Sequence, residues 1–251
     1  MAYARSRFLA PSTRHGALVV AALFAVLAVA WEPPPSESYW LWAGVPDSRL
    51  PGRGAVSVHV GAVAWHGETL WFQAEGAGPR AFPGRSVTVV FRLNGLPPAH
   101  ELVPLLEAQA RRFEAVGNRV AGVQLDYDAP TARLLRYRDT LGEVRAGLDP
   151  RWRLSITGLL DWVATGDEHA LARVAASVDE IVFQLYQGRD YVAGLPHYVA
   201  RFSRLPFPFA VGLLADHPKN AELLERLRRE RRLVGVHYFL RSSTGPDRED
   251  I

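Results

Sequence analysis

Two carboxylates, Asp126 and Asp128, close the stretch Val-Ala-Gly-Val-Gln-Leu-Asp-Tyr-Asp-Ala-Pro from Val120 to Pro130. The first half of this stretch is apolar and β-branched, the composition of a buried strand. Alternate residues of a strand point the same way, so Gln124, Asp126 and Asp128 share one face while Val123, Leu125 and Tyr127 share the other. Acids lined up at the end of a strand otherwise built for a core break the local pattern, and such breaks concentrate at functional sites. Two neighbouring carboxyl groups are the equipment of acid/base chemistry, in which one delivers a proton and the other orients or attacks. A salt-bridged strand end is the plainer alternative.

The elements that position this pair follow from hydrophobic period and turn residues. Tyr39 to Ala43 reads as a short aromatic strand. Val56 to Trp65 alternates, turns through His66-Gly67 and returns over Thr69 to Gln73, a strand with a hairpin extension. Val87 to Leu93 is the third strand, and a helix over Leu102 to Val116 has Pro104 near its start and Gly117 past its end. The fourth strand is the acidic stretch itself. A helix over Thr131 to Leu148 turns Leu134, Leu135, Leu141, Val144 and Leu148 inward. Leu154 to Leu160, Glu180 to Tyr186, Phe209 to Leu214 and Leu233 to Leu240 supply four more strands. Helices over Glu168 to Ala176, Val192 to Phe202 and Ala221 to Arg231 separate them. Strand and helix alternate from Val87 onward, as parallel pairing demands. Eight strands in this length predict an α/β fold of one kind, a compact (β/α)8 TIM-type barrel.

The formal charge of +3 and an isoelectric point near 9.4 suggest a basic protein, but the excess sits in the leader. Residues 1–30 hold Arg5, Arg7 and Arg14 and no acid; the remaining 26 basic side chains (29 less these three) equal the 26 acidic ones. The body is therefore not a nucleic-acid binder. A basic start, an apolar run from Gly16 to Ala30 and Ala28-Val29-Ala30 before Trp31 give residues 1–30 the layout of a signal peptide or, uncleaved, an N-terminal anchor. The expected destination is the periplasm or cell envelope, with membrane contact only through that segment. Residues 31–38 read as a proline-rich linker and 39–251 as one barrel domain, expected to be monomeric. The absence of cysteine rules out disulfides and thiolate metal sites.

Barrels of this type place their chemistry at the C-terminal ends of the strands. Those ends hold Arg92 and Asn94, then Gln124, Asp126 and Asp128, then Asp161 and Trp162. The later strands add Gln184, Tyr186 and Gln187, then Asp216, then His237 and Tyr238. Carboxylates, amides and aromatic rings together suit a carbohydrate, whose apolar faces stack on rings and whose hydroxyls take hydrogen bonds. There is no His-x-x-x-His pair, serine nucleophile elbow or phosphate loop after a strand, so no metal or cofactor is expected. Arg92 and Asn94 either contact substrate or pair with Asp126. Asp161 serves equally as a cap and Asp216 as a turn residue, and Trp162, Trp65 and Trp71 are core or rim aromatics or else platforms for sugar rings.

Gly122-Val123-Gln124-Leu125-Asp126-Tyr127-Asp128 resembles the fourth-strand signature of the family 18 glycoside hydrolases, Asp-Gly-x-Asp-x-Asp-x-Glu. Phe183-Gln184-Leu185-Tyr186-Gln187 resembles that family's Met-x-Tyr-Asp segment. The resemblance implies a glycosidase in which Asp128 takes the place of the catalytic acid, Asp126 orients the substrate and Tyr186 stabilises developing charge. A variant uses Asp216 as nucleophile. The chain departs from the signature at Gln124, where the family has an inner Asp, at Asp128 for Glu, and at Gln187 for Asp. Those departures favour a second expectation, a carbohydrate-binding barrel without catalysis that serves polysaccharide assembly or export. The whole chain also looks similar to a bacterial family of secreted proteins described only as a domain of unknown function.

Overall fold

The computed structural model describes residues 36–76 and 78–241. Residues 1–30 and the first part of the linker lie outside the described residues.

Strand β1 (Ser36–Leu41) is parallel to both its neighbours, β2 (Ala55–His66) and β11 (Leu233–Leu240). That double pairing closes the ring. Round it, β2 is followed by β4 (Ser86–Asn94), β5 (Arg119–Asp126), β6 (Arg153–Gly158), β7 (Glu180–Gln184) and β10 (Phe209–Leu214). Among the described residues eight parallel strands thus form a TIM-type barrel, as the sequence predicts. Strand β1 begins at Ser36, so the last three residues of the predicted linker are strand.

The outer ring is incomplete. Helix α1 (Ala99–Ala115) follows β4, α2 (Leu134–Gly147) follows β5, and α3 (Leu160–Thr165) with α4 (Glu168–Ala175) follow β6. Helix α5 (Leu195–Val199) follows β7, and α6 (Asn220–Leu227) follows β10. Between β1 and β2 there is only a loop with a 3-10 turn at Asp47–Arg49. Between β2 and β4 the chain folds back as β3 (Thr69–Ala74), antiparallel to the upper half of β2. On this flank a cavity of about 340 Å3 opens beside Leu41, Trp42, Val58, Gln109, Arg112 and Phe113.

Several expected boundaries move for identifiable reasons. Helix α2 starts at Leu134 because a 3-10 turn at Thr131–Arg133 follows Pro130. Its buried stripe is Leu134, Tyr137, Leu141 and Val144; Leu135 lies off that spacing and is 47% exposed. The predicted helix from Val192 shrinks to α5 because Gly194, at φ 72°, starts it late and a separate 3-10 turn takes Phe202–Arg204. Helix α6 stops at Leu227 instead of reaching Arg231. Gly117, at φ 91°, ends α1 as expected of a residue in the left-handed region.

Strand parity sorts the side chains. Val56, Val58, Val87, Val89, Phe91, Val123, Leu125, Leu154, Ile156, Ile181 and Phe183 point out to the helices and loops and are buried there. The alternate positions fill the barrel interior, where Trp40, Val90, Val182 and Ala210 form a small apolar layer with Tyr186 and Phe239 against it. The pairing of β2 with β4 slips one residue between His59 and Gly61. A Cβ on Gly61 would lie 2.2 Å from the Gln73 carbonyl oxygen, so only glycine lets β3 approach there. Gly61→Ala is therefore expected to cost about 1–3 kcal/mol in chemical denaturation. Near-unchanged stability would show that the hairpin shifts freely.

Candidate functional site

Asp126 is the last residue of β5, and its side chain is 5% exposed. One carboxylate oxygen accepts a hydrogen bond from Thr157 Oγ1 on β6 at 2.9 Å, the other from Arg92 Nη1 on β4 at 3.1 Å. The second guanidinium nitrogen of Arg92 donates to Asp128 at 2.7 Å. The two acids therefore converge, as strand parity predicts, although Asp128 lies beyond the strand in the loop after β5 and is 45% exposed. Burial pushes the Asp126 carboxyl above the usual carboxylate range, with Arg92 and Thr157 pulling it back. Burial also works against the charge of Arg92, but the two carboxylates outweigh it and hold Arg92 above its ordinary value.

The loop that carries Asp128 is itself pinned. Thr157 Oγ1 accepts from the Tyr127 N–H at 3.3 Å, and Trp162 Nε1 donates to the Ala129 carbonyl at 2.8 Å. Tyr137 packs edge-on against both Tyr127 and Trp162. Trp162 is 1% exposed, so it supports the acid loop from beneath and is not a substrate platform.

Aromatic rings form the floor. Tyr186 stacks on Phe239 at 5.3 Å, and Phe239 meets Trp40 and Trp42 edge-on or tilted. Tyr186 and Trp40 both approach Gly212 of β10, where an added Cβ would make ordinary van der Waals contact with each ring. Burial, then the Asp126 charge, pushes the Tyr186 phenol well above its ordinary range, so it stays protonated and able to donate. Gln184, at the end of β7, hydrogen-bonds to it.

Other expected site residues fall elsewhere. Gln124 is fully buried and accepts from Trp40 Nε1 at 2.7 Å; it fixes the floor and does not reach the mouth. His237 sits one layer lower, 3.3 Å from Glu180, with Trp40 and Phe239 above it. Tyr238 has the opposite parity and stacks on Tyr39 outside the barrel at 5.3 Å. Asp216 lies past β10, 67% exposed and paired with Arg49 of the β1–β2 loop, so it is not drawn into the Arg92 cluster. Asp161 is exposed in the first turn of α3, and Gln187 is exposed on a two-residue strand, β8 (Tyr186–Gln187), paired with β9 (Asp190–Tyr191). Asn94 is exposed at the end of β4, on the same face as Arg92.

Sequence reasoning missed Thr157 and the roles of Trp40 and Trp42. Their signal is parity, since Ser155 and Thr157 alternate within an apolar strand just as Trp40 and Trp42 do near the first one. His59, an interior group by parity, stacks on Trp42 at 3.8 Å and is buried, with the Glu75 carboxylate 3.6 Å from its Nδ1.

Comparison with known proteins gives a family match over part of the chain and a fold. Residues 83–202 match the family described as Domain of unknown function (DUF3142). That span runs from just before β4 to the 3-10 turn before β10, and so contains Arg92, Asp126, Asp128, Thr157 and Tyr186. No curated protein matches the chain. Among solved structures, the xylanase and alpha-amylase inhibitor protein XAIP-II from Scadoxus multiflorus superposes with a TM-score of 0.55 at 14% identity. The match covers 81% of this chain and 92% of that one. A new form of xylanase-A-amylase inhibitor protein, XAIP-III, gives the same score and identity over 80% and 92%. The chitinase domain of the spore coat protein CotE from Clostridium difficile matches at 0.40 and 11% over 74% and 66%. The two inhibitor proteins thus share the TIM-type barrel fold of this chain.

Two measurements check the electrostatics. Arg92→Met leaves Asp126 buried without its cation and is expected to cost about 3–5 kcal/mol at pH 7. The raised Asp126 pKa means the folded state holds its proton more tightly than the unfolded chain does. Losing Arg92, which pulls that pKa down, raises it further, so the deficit should grow as pH rises, and a deficit independent of pH would contradict this assignment. His59 has the opposite sign. Burial, helped by the Arg92 charge, lowers its pKa from 6.5 to about 4. The stability held by neutral His59 is complete above pH 6.5 and is lost as pH falls towards 4, about 3 kcal/mol at the limit. In urea titrations at pH 7 and pH 4, His59→Gln should lose less stability on acidification than the wild type by about that amount.

Proposed function

We propose that the mouth of this barrel binds a carbohydrate chain without cleaving it, in an exported protein of the cell envelope that serves polysaccharide assembly or export. The observation that carries this reading is the double ion pair of Arg92 with Asp126 and Asp128. Acid/base cleavage of a glycoside needs one carboxyl group that can give a proton to the leaving oxygen and a second group on the other side of the sugar. Here the exposed carboxyl group is occupied by a guanidinium and the other is sealed in the barrel. A planar cation flanked by carboxylates, a protonated phenol and stacked rings instead supplies donors, acceptors and apolar faces for a sugar. The two solved barrels with the same fold are named as xylanase and amylase inhibitor proteins, which is compatible with a barrel that binds.

A second reading, hydrolysis of an envelope or extracellular polysaccharide, has one observation in its favour. The Asp126 carboxyl is raised by burial and lies beside Asp128, a pairing of unlike environments that suits acid/base work. The test is a panel of soluble hexasaccharides assayed for binding by calorimetry and for turnover by reducing-end release. Binding without turnover, weakened about tenfold or more by Asp128→Asn, is the expected outcome. Release of reducing ends that disappears in Asp128→Asn would replace binding with hydrolysis as the function. Failure to bind or cleave any member of the panel would remove the carbohydrate reading altogether.

A further inference from the structure

The upper half of β2 continues past Gly61 above the barrel rim and carries β3 beside it. Register fixes which faces of this ribbon look where. Ala62 is opposite Arg92 on one side and Gln73 on the other; Ala64 is opposite Asn94 and Trp71. Residues directly opposite in a ladder share a face. Trp71 therefore stands on the face that carries Arg92 and Asn94, the face turned towards the barrel mouth. The reverse face is apolar in the ordinary way, with Val63 fully buried and Phe72 packed against Phe91 at 6.3 Å.

Trp71 is 62% exposed, whereas Trp40, Trp152 and Trp162 are each 4% exposed or less. Nothing in the ribbon shields it, because its cross-strand neighbour on that face is Ala64. Along β3 Leu70 and Phe72 lie on the covered face and Thr69, Trp71 and Gln73 on the exposed one, so the indole occupies a position where a polar side chain would be expected. A large apolar ring left uncovered on the polar face, continuous with a polar mouth, marks a contact surface.

We infer that Trp71 is an aromatic subsite of the barrel mouth, on which one pyranose ring of a bound glycan stacks while another part of the same chain meets Arg92 and Asp128. This inference rests on the carbohydrate reading above and adds to it an extended ligand. At ladder spacings of about 4.8 Å between strands and about 3.3 Å per residue, the Trp71 and Arg92 α-carbons lie roughly 12 Å apart. An oligosaccharide spans that gap and a monosaccharide does not. Arg92 and Asp128 fix polar groups at one end, and Trp71 offers a flat, rigid, sequence-tolerant face at the other.

The experiment compares the full chain with Trp71→Ala and Trp71→Phe, using hexasaccharides of β-1,4-linked N-acetylglucosamine, glucose and xylose and of α-1,4-linked glucose, with the matching monosaccharides. Trp71 is exposed, so both variants should keep the wild-type thermal melt. At least one hexasaccharide should bind the wild type and protect tryptophan fluorescence from iodide quenching. Trp71→Ala should weaken that binding about tenfold and abolish the protection. Trp71→Phe should keep most of the affinity, and monosaccharide binding should be the same in all three proteins. A hexasaccharide that binds wild type and Trp71→Ala equally would overturn the subsite and leave the carbohydrate reading standing. Absence of binding by the wild type to any of these sugars would overturn both.

Discussion

Arg92 stands between a buried carboxylate and an exposed one, and much of the barrel mouth is arranged around that double pairing. A lone ionised Asp126 inside the barrel would be costly, because burial withdraws its water without replacing it. Thr157 and Arg92 supply the missing donors, one from each neighbouring strand. Thr157 is also the acceptor for the Tyr127 N–H, so the hydroxyl that solvates the acid shapes the loop leading to Asp128. The position of the exposed acid is thus a consequence of how the buried one is satisfied.

Beneath this polar tier lies a layer of rings. Gln124 orients the Trp40 indole by accepting its N–H. The eighth barrel strand gives Phe239, and the neighbouring indole comes from the first strand as Trp40, across the seam between β1 and β11.

The barrel itself was readable because its signals are long and mutually consistent. Strands such as Phe209–Leu214 and Leu233–Leu240 are continuous apolar or alternating runs whose ends the structure reproduces. The convergence of Asp126 and Asp128 was readable from parity alone. Parity failed as a guide where depth mattered: His237 points inward but lies a layer too low, and Gln124 points inward under a tryptophan. Tyr238 was misplaced by a single residue, which is enough to put a side chain outside the barrel. Asp216 and Trp162 sit just past strand or helix boundaries, where direction depends on tertiary contacts such as Arg49 and the Ala129 carbonyl that have no local sequence signature.

The closing seam has a consequence for how the chain reaches this state. Strand β1 has one neighbour a short loop away and another, β11, almost two hundred positions along the chain (Ser36 opposite Gly235). Contacts of such long separation form late, since the intervening chain must be ordered before they are rewarded. Until β11 arrives, Trp40 lacks Phe239 and half of its strand's hydrogen bonds, so the ring-lined floor cannot exist in a chain that stops before β11. An incomplete chain would also present β1 as an unpaired apolar edge, open to the wrong partner. The ladder that completes the mouth is therefore also the one that commits the protein to being whole.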